Sequence, residues 1–410
     1  MNNDLPERNR IDKTAFMEEW KEHLQLHNLI PWAYQEQIKV RIYSHSKPSN
    51  WIALSSLCKA FLADSKYDIA VLVPRKNKER EDCLTNDGLR FIYENDYDIM
   101  SDKPDIVVIQ YAYGVLRVYK EPYLETIYNH AKMVVGMPFI LLRSGLPIEV
   151  CVEKLLSGPK EMDYYILDKL LYNTIEEAGL MKPNIIHIGN PKFDAIYAAM
   201  RENLSIPEEW NKLNGRKVFL WATDHQPLTG RFTFDLYASQ LLHWFAEHVD
   251  DCALIIRPHP LCVGELLKEG LWDKGDYEKV REYCDNSENV IWDEQTDYSL
   301  SYKLADCVLT DVNCGIILSS LPLDKPICAL RRYDGQASEV HHPEVVEHLN
   351  VADSAEGLTD FLERVRAGED PKAEQRRAAF AKFISHYDGQ NGRRIKDFIE
   401  RKYGEGHYAT

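Results

Sequence analysis

The sequence lacks any surplus of positive charge. Its 410 residues contain 49 Lys and Arg against 65 Asp and Glu, which gives a formal net charge of −16 at pH 7. A protein that binds nucleic acid needs an excess of Lys and Arg along one face, so this composition argues against a nucleic-acid partner. It leaves room for a small phosphate pocket, because such a pocket uses few cations and many backbone N–H groups.

The sequence also lacks paired cysteines and long apolar runs. None of the nine cysteines forms a Cys-x-x-Cys pair, which predicts reduced thiols and no zinc site. No stretch approaches the length of a membrane span, about 20 apolar residues, and residues 1–10 contain no apolar core typical of a signal peptide. We therefore expect a cytoplasmic protein. Peripheral contact with the inner face of the cell membrane stays open, with Arg10, Trp20 and Trp32 as candidate contacts.

Several motifs of familiar enzyme classes are absent. There is no G-x-G-x-x-G after the first predicted strand and no G-x-x-x-x-G-K-[ST], so neither a dinucleotide site nor a P-loop is indicated. H-E-x-x-H and G-x-S-x-G are also missing, which argues against a hydrolase. No motif indicates a resident cofactor or a divalent metal.

What the sequence does contain is a regular alternation of short apolar strands and helical segments. Such alternation requires crossover connections, and hence parallel sheets that are covered on both faces. The predicted fold class is α/β, with two Rossmann-like doubly wound domains facing a cleft, an N-terminal helix and C-terminal helices. The strands are predicted at 38–43, 67–73, 105–110, 133–135 and 185–189 and, after a polar stretch at 205–216, at 217–223, 252–257, 289–292, 307–310 and 326–330.

Four segments follow from this pattern. They are an N-terminal helical arm at 1–35, a first Rossmann-like domain at 36–205, a second at 206–385 and a C-terminal helix at 386–410. In doubly wound folds, ligands bind at the carboxyl ends of the strands. The residues that follow each strand are therefore the candidates for chemistry.

The segment CALIIRPHP places a guanidinium and an imidazole just past a buried strand. Arg257 and His259 flank Pro258, and Pro260 follows, so the loop is held in an extended form. These groups suit an anionic ligand or the departing oxygen of a phosphoryl transfer. We predict that Arg257 and His259 are catalytic. The alternative is a surface turn whose histidine only caps the strand end.

A second polar turn connects a predicted strand to an apolar helix, and its residues are Thr310, Asp311, Asn313, Cys314 and Gly315. A small polar turn that opens a helix presents unpaired backbone N–H groups and a positive dipole end, which suit phosphate. Asn313 is a candidate helix cap and Gly315 permits close approach, whereas Asp311 is expected to orient a loop or to meet a hydroxyl. The alternative is an ordinary strand-to-helix turn with an asparagine cap.

Two further turns follow predicted strands. WATDHQP places Thr223 and His225 at the mouth of the cleft as candidate nucleotide-binding residues, although a lone histidine in a loop is usually just solvated. GNPKFDAI contains a turn at Asn190-Pro191, and Asp194 is a candidate cap of the next helix. For this last turn, the better prediction is a structural role.

Together these segments resemble the CDP-glycerol glycerophosphotransferase family, which comprises teichoic-acid primases and polymerases, together with related capsule enzymes. The resemblance implies the two-Rossmann arrangement called GT-B. It also implies transfer of an alditol phosphate from a CDP-alditol to an acceptor hydroxyl, with release of CMP. The matching pieces recur in the family's order over about residues 185–400: GNPKFD, WATDH, IIRPHP, ADCVLTDVNCGI to DKPICALRRYD, and YDGQNGRRI.

The resemblance also implies roles for particular residues and domains. His259 matches the histidine of the family's R-x-H motif, and the segments 36–205 and 206–385 become the acceptor and donor domains. Two sets of residues are expected to contact the donor: Asp311, Asn313 and Cys314 at the family's D-Y-S-S turn, and Asp388, Gly389 and Arg394 in its terminal DG…R segment.

Three departures from the family pattern bear on the chemistry. Asn313-Cys314 replaces the usual pair of serines and removes two hydroxyl donors, and His225 stands where an arginine is common. The N-terminal His-Gly-Thr motif, thought to supply the general base, is absent, and the corresponding region reads VVGMPFILL at 134–142. The general base is therefore not assigned from the sequence.

The leading interpretation is a transferase that moves glycerol phosphate, or a related alditol phosphate, from a CDP-linked donor to a hydroxyl of a glycan or lipid-linked acceptor in cell-surface polymer synthesis. A nucleotide-sugar glycosyltransferase of the same fold is the enzymatic alternative. A non-catalytic nucleotide-binding subunit is the third interpretation, which the missing His-Gly-Thr motif favours. The donor polyol, the acceptor and the oligomeric state are not assigned from the sequence.

Overall fold

A computed structural model describes residues 37–44, 48–74, 76–110, 127, 129–137, 162–295, 297–337, 340 and 342–406. The N-terminal helix predicted within 1–35, its candidate membrane contacts and most of VVGMPFILL lie outside these residues. The strands are β1 (Ile38–Tyr43), β2 (Tyr67–Val73), β3 (Phe91–Tyr93), β4 (Ile106–Gln110), β5 (Met133–Met137), β6 (Tyr164–Leu167), β7 (Ile185–His187), β8 (Lys217–Ala222), β9 (Cys252–Arg257), β10 (Val290–Trp292), β11 (Cys307–Asp311), β12 (Ile327–Leu330) and β13 (Asn350–Ala352).

The helices connect these strands and follow the last one. They are α1 (Ser55–Leu62), α2 (Lys78–Asn86), α3 (Ile99–Asp102), α4 (Lys169–Glu177), α5 (Pro191–Arg201), α6 (Phe234–Glu247), α7 (Cys262–Lys268), α8 (Lys274–Asn286), α9 (Ser299–Leu304), α10 (Ile316–Ser320), α11 (Pro343–Val346), α12 (Ala355–Arg366), α13 (Ala373–Phe383) and α14 (Asn391–Glu405). Short 3-10 turns occur at Pro48–Ala53, Glu94–Asp96, Glu208–Leu213 and Leu321–Leu323.

The first seven strands form one sheet in the order β3-β2-β1-β4-β5-β6-β7, and all of its pairings are parallel. β4 and β5 are buried along their whole length. Continuous apolar strands of this kind are typical of parallel sheets whose two faces are both covered. The connection order reverses between β1 and β4, which makes that point a topological switch.

The remaining strands form a second parallel sheet in the order β10-β9-β8-β11-β12-β13. Its switch point lies between β8 and β11, where Ala222 pairs with Thr310. Because β9, β8 and β11 are neighbours, the loops after them meet at one edge of the sheet. These loops carry RPHP, TDHQP and the VNCG turn, so the topology alone brings the three predicted segments together.

The two sheets confirm the predicted fold class. Three strands, β3, β6 and β13, are not among the sequence predictions. Each has only three or four residues. The predicted segment boundaries, which are drawn from sequence alone, stay predictions.

Helix α5 joins the two halves of the chain. It follows β7 of the first sheet, but its residues Phe193 and Ile196 belong to the apolar core beneath the second sheet. Its N-cap is Asn190, whose side chain accepts the N–H of Lys192 at 2.9 Å. Asp194 is therefore not the cap that the sequence predicts.

Helix α14 returns the end of the chain to the first sheet. Ile395 and Ile399 are fully buried in the core that also contains residues of β1 and β2. Asp194 fixes the start of this helix, because its carboxylate accepts the N–H groups of Asn391 at 2.9 Å and Gly392 at 2.8 Å. Gly392 lies so close to α1 that a Cβ would come within 2.4 Å of the Ser56 carbonyl carbon.

Candidate active site

A cavity of about 300 Å³ lies between the two halves, and the loops after the strands of both sheets line it. The first half contributes polar side chains from the starts of α4 and α5. Six of the twelve predicted site residues line it, namely Thr223, Arg257, His259, Asn313, Cys314 and Gly315. The other six, which are absent from the lining, are His225, Thr310, Asp311, Asp388, Gly389 and Arg394.

The turn after β11 leads into a helix of only five residues, α10. Its N-cap is Gly315, not Asn313 as predicted. Gly315 has φ −63°, and a Cβ there would meet no protein atom within 4 Å. The first N–H groups of a helix have no partner within it, and Gly315 and Ile316 both line the cavity. A ligand can therefore approach this backbone closely. The N–H groups of the turn contribute more to the binding of an anion than the dipole of so short a helix.

Thr310 and Asp311 are fully buried at the end of β11 and do not line the cavity. The Asp311 carboxylate accepts the N–H of Asp224 at 2.5 Å and the hydroxyl of Thr233. Burial raises the pKa of Asp311 to about 7. Its side chain points into the interior because it belongs to the strand, so the structure gives it the loop-orienting role. The contact of Thr310 and Asp311 with the donor stays a prediction.

The loop that Asp311 holds carries His225, whose imidazole stacks on that of His259 in the loop after β9. The rings of His225 and His259 have centroids 4.0 Å apart and planes inclined by 19°. Behind them, Nδ1 of His225 lies 3.0 Å from Oδ1 of Asp224. Burial alone would raise the pKa of Asp224, but contact with His225 and the charge of Arg231 outweigh it, and the net shift is downward. His225 thus contacts the ring of a cavity residue without lining the cavity itself.

His259 has a defined hydrogen-bond direction. Its Nδ1 accepts the N–H of Leu261 at 3.1 Å. A neutral imidazole that accepts at one nitrogen carries its proton on the other, so His259 holds its proton on Nε2. This is the tautomer that donates a hydrogen bond from the far side of the ring.

Arg257 lines the cavity, but its charge already has a partner. Its guanidinium pairs with the buried carboxylate of Asp293 and also donates to the carbonyl of Gln295. The guanidinium carbon lies 6.0 Å from the centroid of the Tyr298 ring. Arg257 is therefore held rigidly, and part of its hydrogen-bonding capacity is used within the protein.

The terminal DG…R segment does not reach the cavity. Asp388 and Arg394 pair with each other at 2.8 Å, which lowers the pKa of Asp388 to about 2. Gly389 has φ +75°, and a Cβ there would lie 3.0 Å from the ring of Tyr197. Asp388 and Gly389 lie in the turn before α14, and Arg394 lies in the first turn of that helix. Their contact with the donor stays a prediction.

Lys192 and Asp168 line the cavity but are not among the predicted site residues. Lys192 is the second residue of α5, and burial lowers its pKa to about 8. Asp168 is the N-cap of α4, where Oδ1 accepts the N–H of Leu171 at 2.9 Å, and burial raises its pKa. A signal for Lys192 exists, because GNPKFD follows a predicted strand whose carboxyl end faces the cleft. Asp168 gives no such signal, since β6 is not predicted.

Asp224→Asn should lower kcat by roughly tenfold, the effect of losing one charge-assisted hydrogen bond. Asparagine keeps the N–H that Asp311 accepts, but it removes the negative charge beside His225 and so loosens the ring against which His259 stacks. We expect KM for the donor to change less than kcat. The exposed residue Asp250 offers a matched control, Asp250→Asn. Equal kcat in the two variants would show that Asp224 does not position the histidines.

No group of three or more His, Cys, Asp or Glu side chains among the described residues is arranged to hold a metal ion. No helix in the described part of the chain combines the length and apolar character that crossing a membrane requires.

Comparison with known proteins agrees with this geometry. The family model for CDP-glycerol:poly(glycerophosphate) glycerophosphotransferases matches residues 149–401. A comparison with curated protein sequences finds no match.

Solved structures show the same fold at low sequence identity. An S. aureus MnaA–UDP structure is 17% identical, with a TM-score of 0.64 over 90% of this chain and 97% of that chain. The wall teichoic acid polymerase TagF is 14% identical, with a TM-score of 0.57 over 96% of each chain. Anabaena Alr3699/HepE in complex with UDP and glucose is 12% identical, with a TM-score of 0.54 over 89% of this chain and all of that one.

Two parallel Rossmann-like sheets with a cavity between their carboxyl edges define a protein of the GT-B fold. More than half of the chain matches one family model. The chain belongs to the CDP-glycerol:poly(glycerophosphate) glycerophosphotransferase family, and it is a CDP-glycerol glycerophosphotransferase-like transferase. The family resemblance that the sequence motifs indicate is confirmed.

Proposed function

We propose that the chain transfers glycerol phosphate, or a related alditol phosphate, from a CDP-linked donor to a hydroxyl of a glycan or lipid-linked acceptor in cell-surface polymer synthesis. One observation carries the proposal: a single cavity brings together Arg257, His259 and the 312–315 turn. A guanidinium, an imidazole and exposed backbone N–H groups are suited to a diphosphate. Family membership supports CDP as the nucleotide.

The reaction is an in-line displacement at the β-phosphorus of the donor. The acceptor hydroxyl gives up its proton, and its oxygen forms a bond to that phosphorus. The bond from phosphorus to the CMP oxygen breaks, and CMP leaves with the electron pair. The N–H groups of Gly315 and Ile316 stabilise the charge on the phosphate oxygens, which grows most on the departing group.

His259 is the proposed donor-side catalytic group. Its proton is on Nε2, because Nδ1 accepts the N–H of Leu261. Nε2–H donates to the oxygen that leaves with CMP, and the stacked ring of His225 limits the orientations open to His259. Asn313 and Cys314 flank the phosphates in place of the serines common in the family.

In this proposal, the two halves of the chain bind different substrates. The segment 206–385 holds the nucleotide donor, since the three loops at the switch point of the second sheet belong to it. The segment 36–205 faces the acceptor. A lipid-linked acceptor would lie at the inner face of the cell membrane, and peripheral contact with that face is part of the proposal.

The donor class is tested with a panel of CDP-glycerol, CDP-ribitol and UDP-N-acetylglucosamine, each with and without a polyol-phosphate acceptor. We expect release of CMP from a CDP-alditol, faster with acceptor, and no release of UDP. Release of UDP without CMP would contradict the proposal and favour a nucleotide-sugar glycosyltransferase. Binding of CDP without turnover of any donor would favour a non-catalytic subunit.

A further inference from the structure

Lys192 is a half-buried cation that the fold itself does not use. It lines the cavity from the first turn of α5. With the described residues, its ammonium forms no hydrogen bond or ion pair, and the centroid of the Tyr298 ring lies 5.9 Å from Nζ. Lys325 shows the contrast, because its ammonium donates to the carbonyls of Tyr302 and Lys303 at 3.1 and 3.2 Å.

The groups that face Lys192 leave its charge uncompensated. Asp168, at the start of α4, and Cys314, in the turn before α10, interact with it electrostatically, but neither forms an ion pair with it. Tyr298 presents its ring. The guanidinium carbon of Arg257, which belongs to the second half of the chain, lies 6.0 Å from the centroid of the same ring. The charge of Arg257 is already neutralised by Asp293. Removing a cation from water, even in part, without a counter-ion is costly, so this position suits an anionic ligand.

We propose that Lys192 is a ligand for the donor phosphates, contributed by the first half of the chain across the cleft from Arg257 and the 312–315 turn. The inference rests on the proposed function, because it takes the anion in the cavity to be the donor diphosphate. It adds a residue from the acceptor side to a donor site that the sequence motifs confine to the second half. Donor binding then joins the two halves through one anion.

If Lys192 binds the donor phosphates, binding is coupled to the uptake of protons. Burial lowers the pKa of Lys192 to about 8 in the empty cavity, and a phosphate beside the ammonium raises it again. Because the group is more protonated in the bound state, binding takes up about half a proton at pH 8. The affinity is greatest below pH 8 and falls as the pH rises above it. CDP itself is fully ionised there, since its terminal phosphate titrates near pH 6.

The test compares Lys192→Met, Lys192→Arg and the wild type by titration calorimetry with CDP, cytidine and pyrophosphate. Methionine should weaken CDP binding by about 10- to 100-fold, the effect of one charge-assisted hydrogen bond, and leave cytidine unchanged. Arginine should retain most of the affinity. Titrations at pH 8 in buffers of different ionisation enthalpy should show proton uptake in the wild type that is lost with methionine. Lys274→Met, at an 88% exposed side chain, is the matched control.

The outcomes separate this inference from the proposed function. Unchanged CDP binding by Lys192→Met overturns the inference, as does equal weakening of CDP and cytidine or a large drop in melting temperature, which would mark a structural lysine. If the wild type binds pyrophosphate in a Lys192-dependent way but not CDP, the proposed donor is wrong and the anion ligand stands. Binding of neither, or pyrophosphate binding independent of Lys192, overturns the inference.

Discussion

Replacing His259 with alanine should lower turnover by about 10²- to 10⁴-fold, the usual contribution of one acid–base or charge-stabilising group. CDP affinity should change less than turnover, because the hydrogen bond from Nε2–H strengthens as charge develops on the departing oxygen in the transition state. The melting temperature should stay within a few degrees, since His259 is half-buried in a loop and such positions cost little to change. Steady-state kinetics with CDP-glycerol and a thermal melt on the same preparation check all three.

His248→Ala is a matched control for this variant. The His248 ring also stacks on an aromatic neighbour, Trp244, with centroids 4.1 Å apart, but it does not line the cavity. Turnover by His248→Ala should stay close to that of the wild type. If a folded His259→Ala protein turned over at a near-normal rate, His259 would have no part in the transfer.

Gly315→Val should weaken CDP binding by roughly 100-fold, because the side chain would keep the phosphates away from the N–H groups at the start of α10. No protein atom lies within 4 Å of a Cβ at this position. Valine therefore projects into open space without a clash, and φ −63° is an ordinary value for it. Cytidine, which has no phosphate, should bind almost as before. Calorimetry with the two ligands measures the difference.

Two further variants serve as controls for Gly315→Val. Gly264 lies in α7, where a Cβ also meets no atom within 4 Å, and it does not line the cavity, so Gly264→Val should bind CDP normally. Asn313→Ser restores a hydroxyl common in the family and should be tolerated. Equal weakening of CDP and cytidine by Gly315→Val would place the diphosphate elsewhere.

The fold class was accessible from the sequence because parallel strands covered on both faces are continuous apolar runs. YDIAVLV and CALIIR are such runs, and the structure makes them β2 and β9. β6, with the sequence YYIL, is not among the predicted strands. Its omission also concealed Asp168, which follows it.

The candidate site was only partly accessible, for a different reason. Sequence shows that a residue follows a strand but not which way its side chain points. Asp311 and Gly315 belong to the same turn region, yet the first is turned into the interior and the second lines the cavity. Lys192 is not among the predicted site residues because its place in the cavity depends on α5 packing against the second sheet. The local sequence pattern does not encode this tertiary contact.

The segment YDGQNGRRI contains contacts that the sequence pattern does not indicate. Asn391 and Gly392 donate their backbone N–H groups to the Asp194 carboxylate, and Arg394 pairs with Asp388. The contacts with Asp194 join the start of α14 to α5. Such packing between segments far apart in sequence is not encoded locally, and the contact of Asp388, Gly389 and Arg394 with the donor stays a prediction.

If the chain moves a phosphorus atom together with its polyol, the β-phosphorus of the donor must end in the acceptor product and not in the released nucleotide. CDP-glycerol carrying a radioactive β-phosphorus is incubated with wild-type protein and a polyol-phosphate acceptor, and nucleotide and polymer are separated. We predict that the label leaves with the glycerol, that it appears in the acceptor product, and that the released nucleotide is unlabelled CMP. Label retained in released CDP, or label that never leaves the donor, would contradict the account.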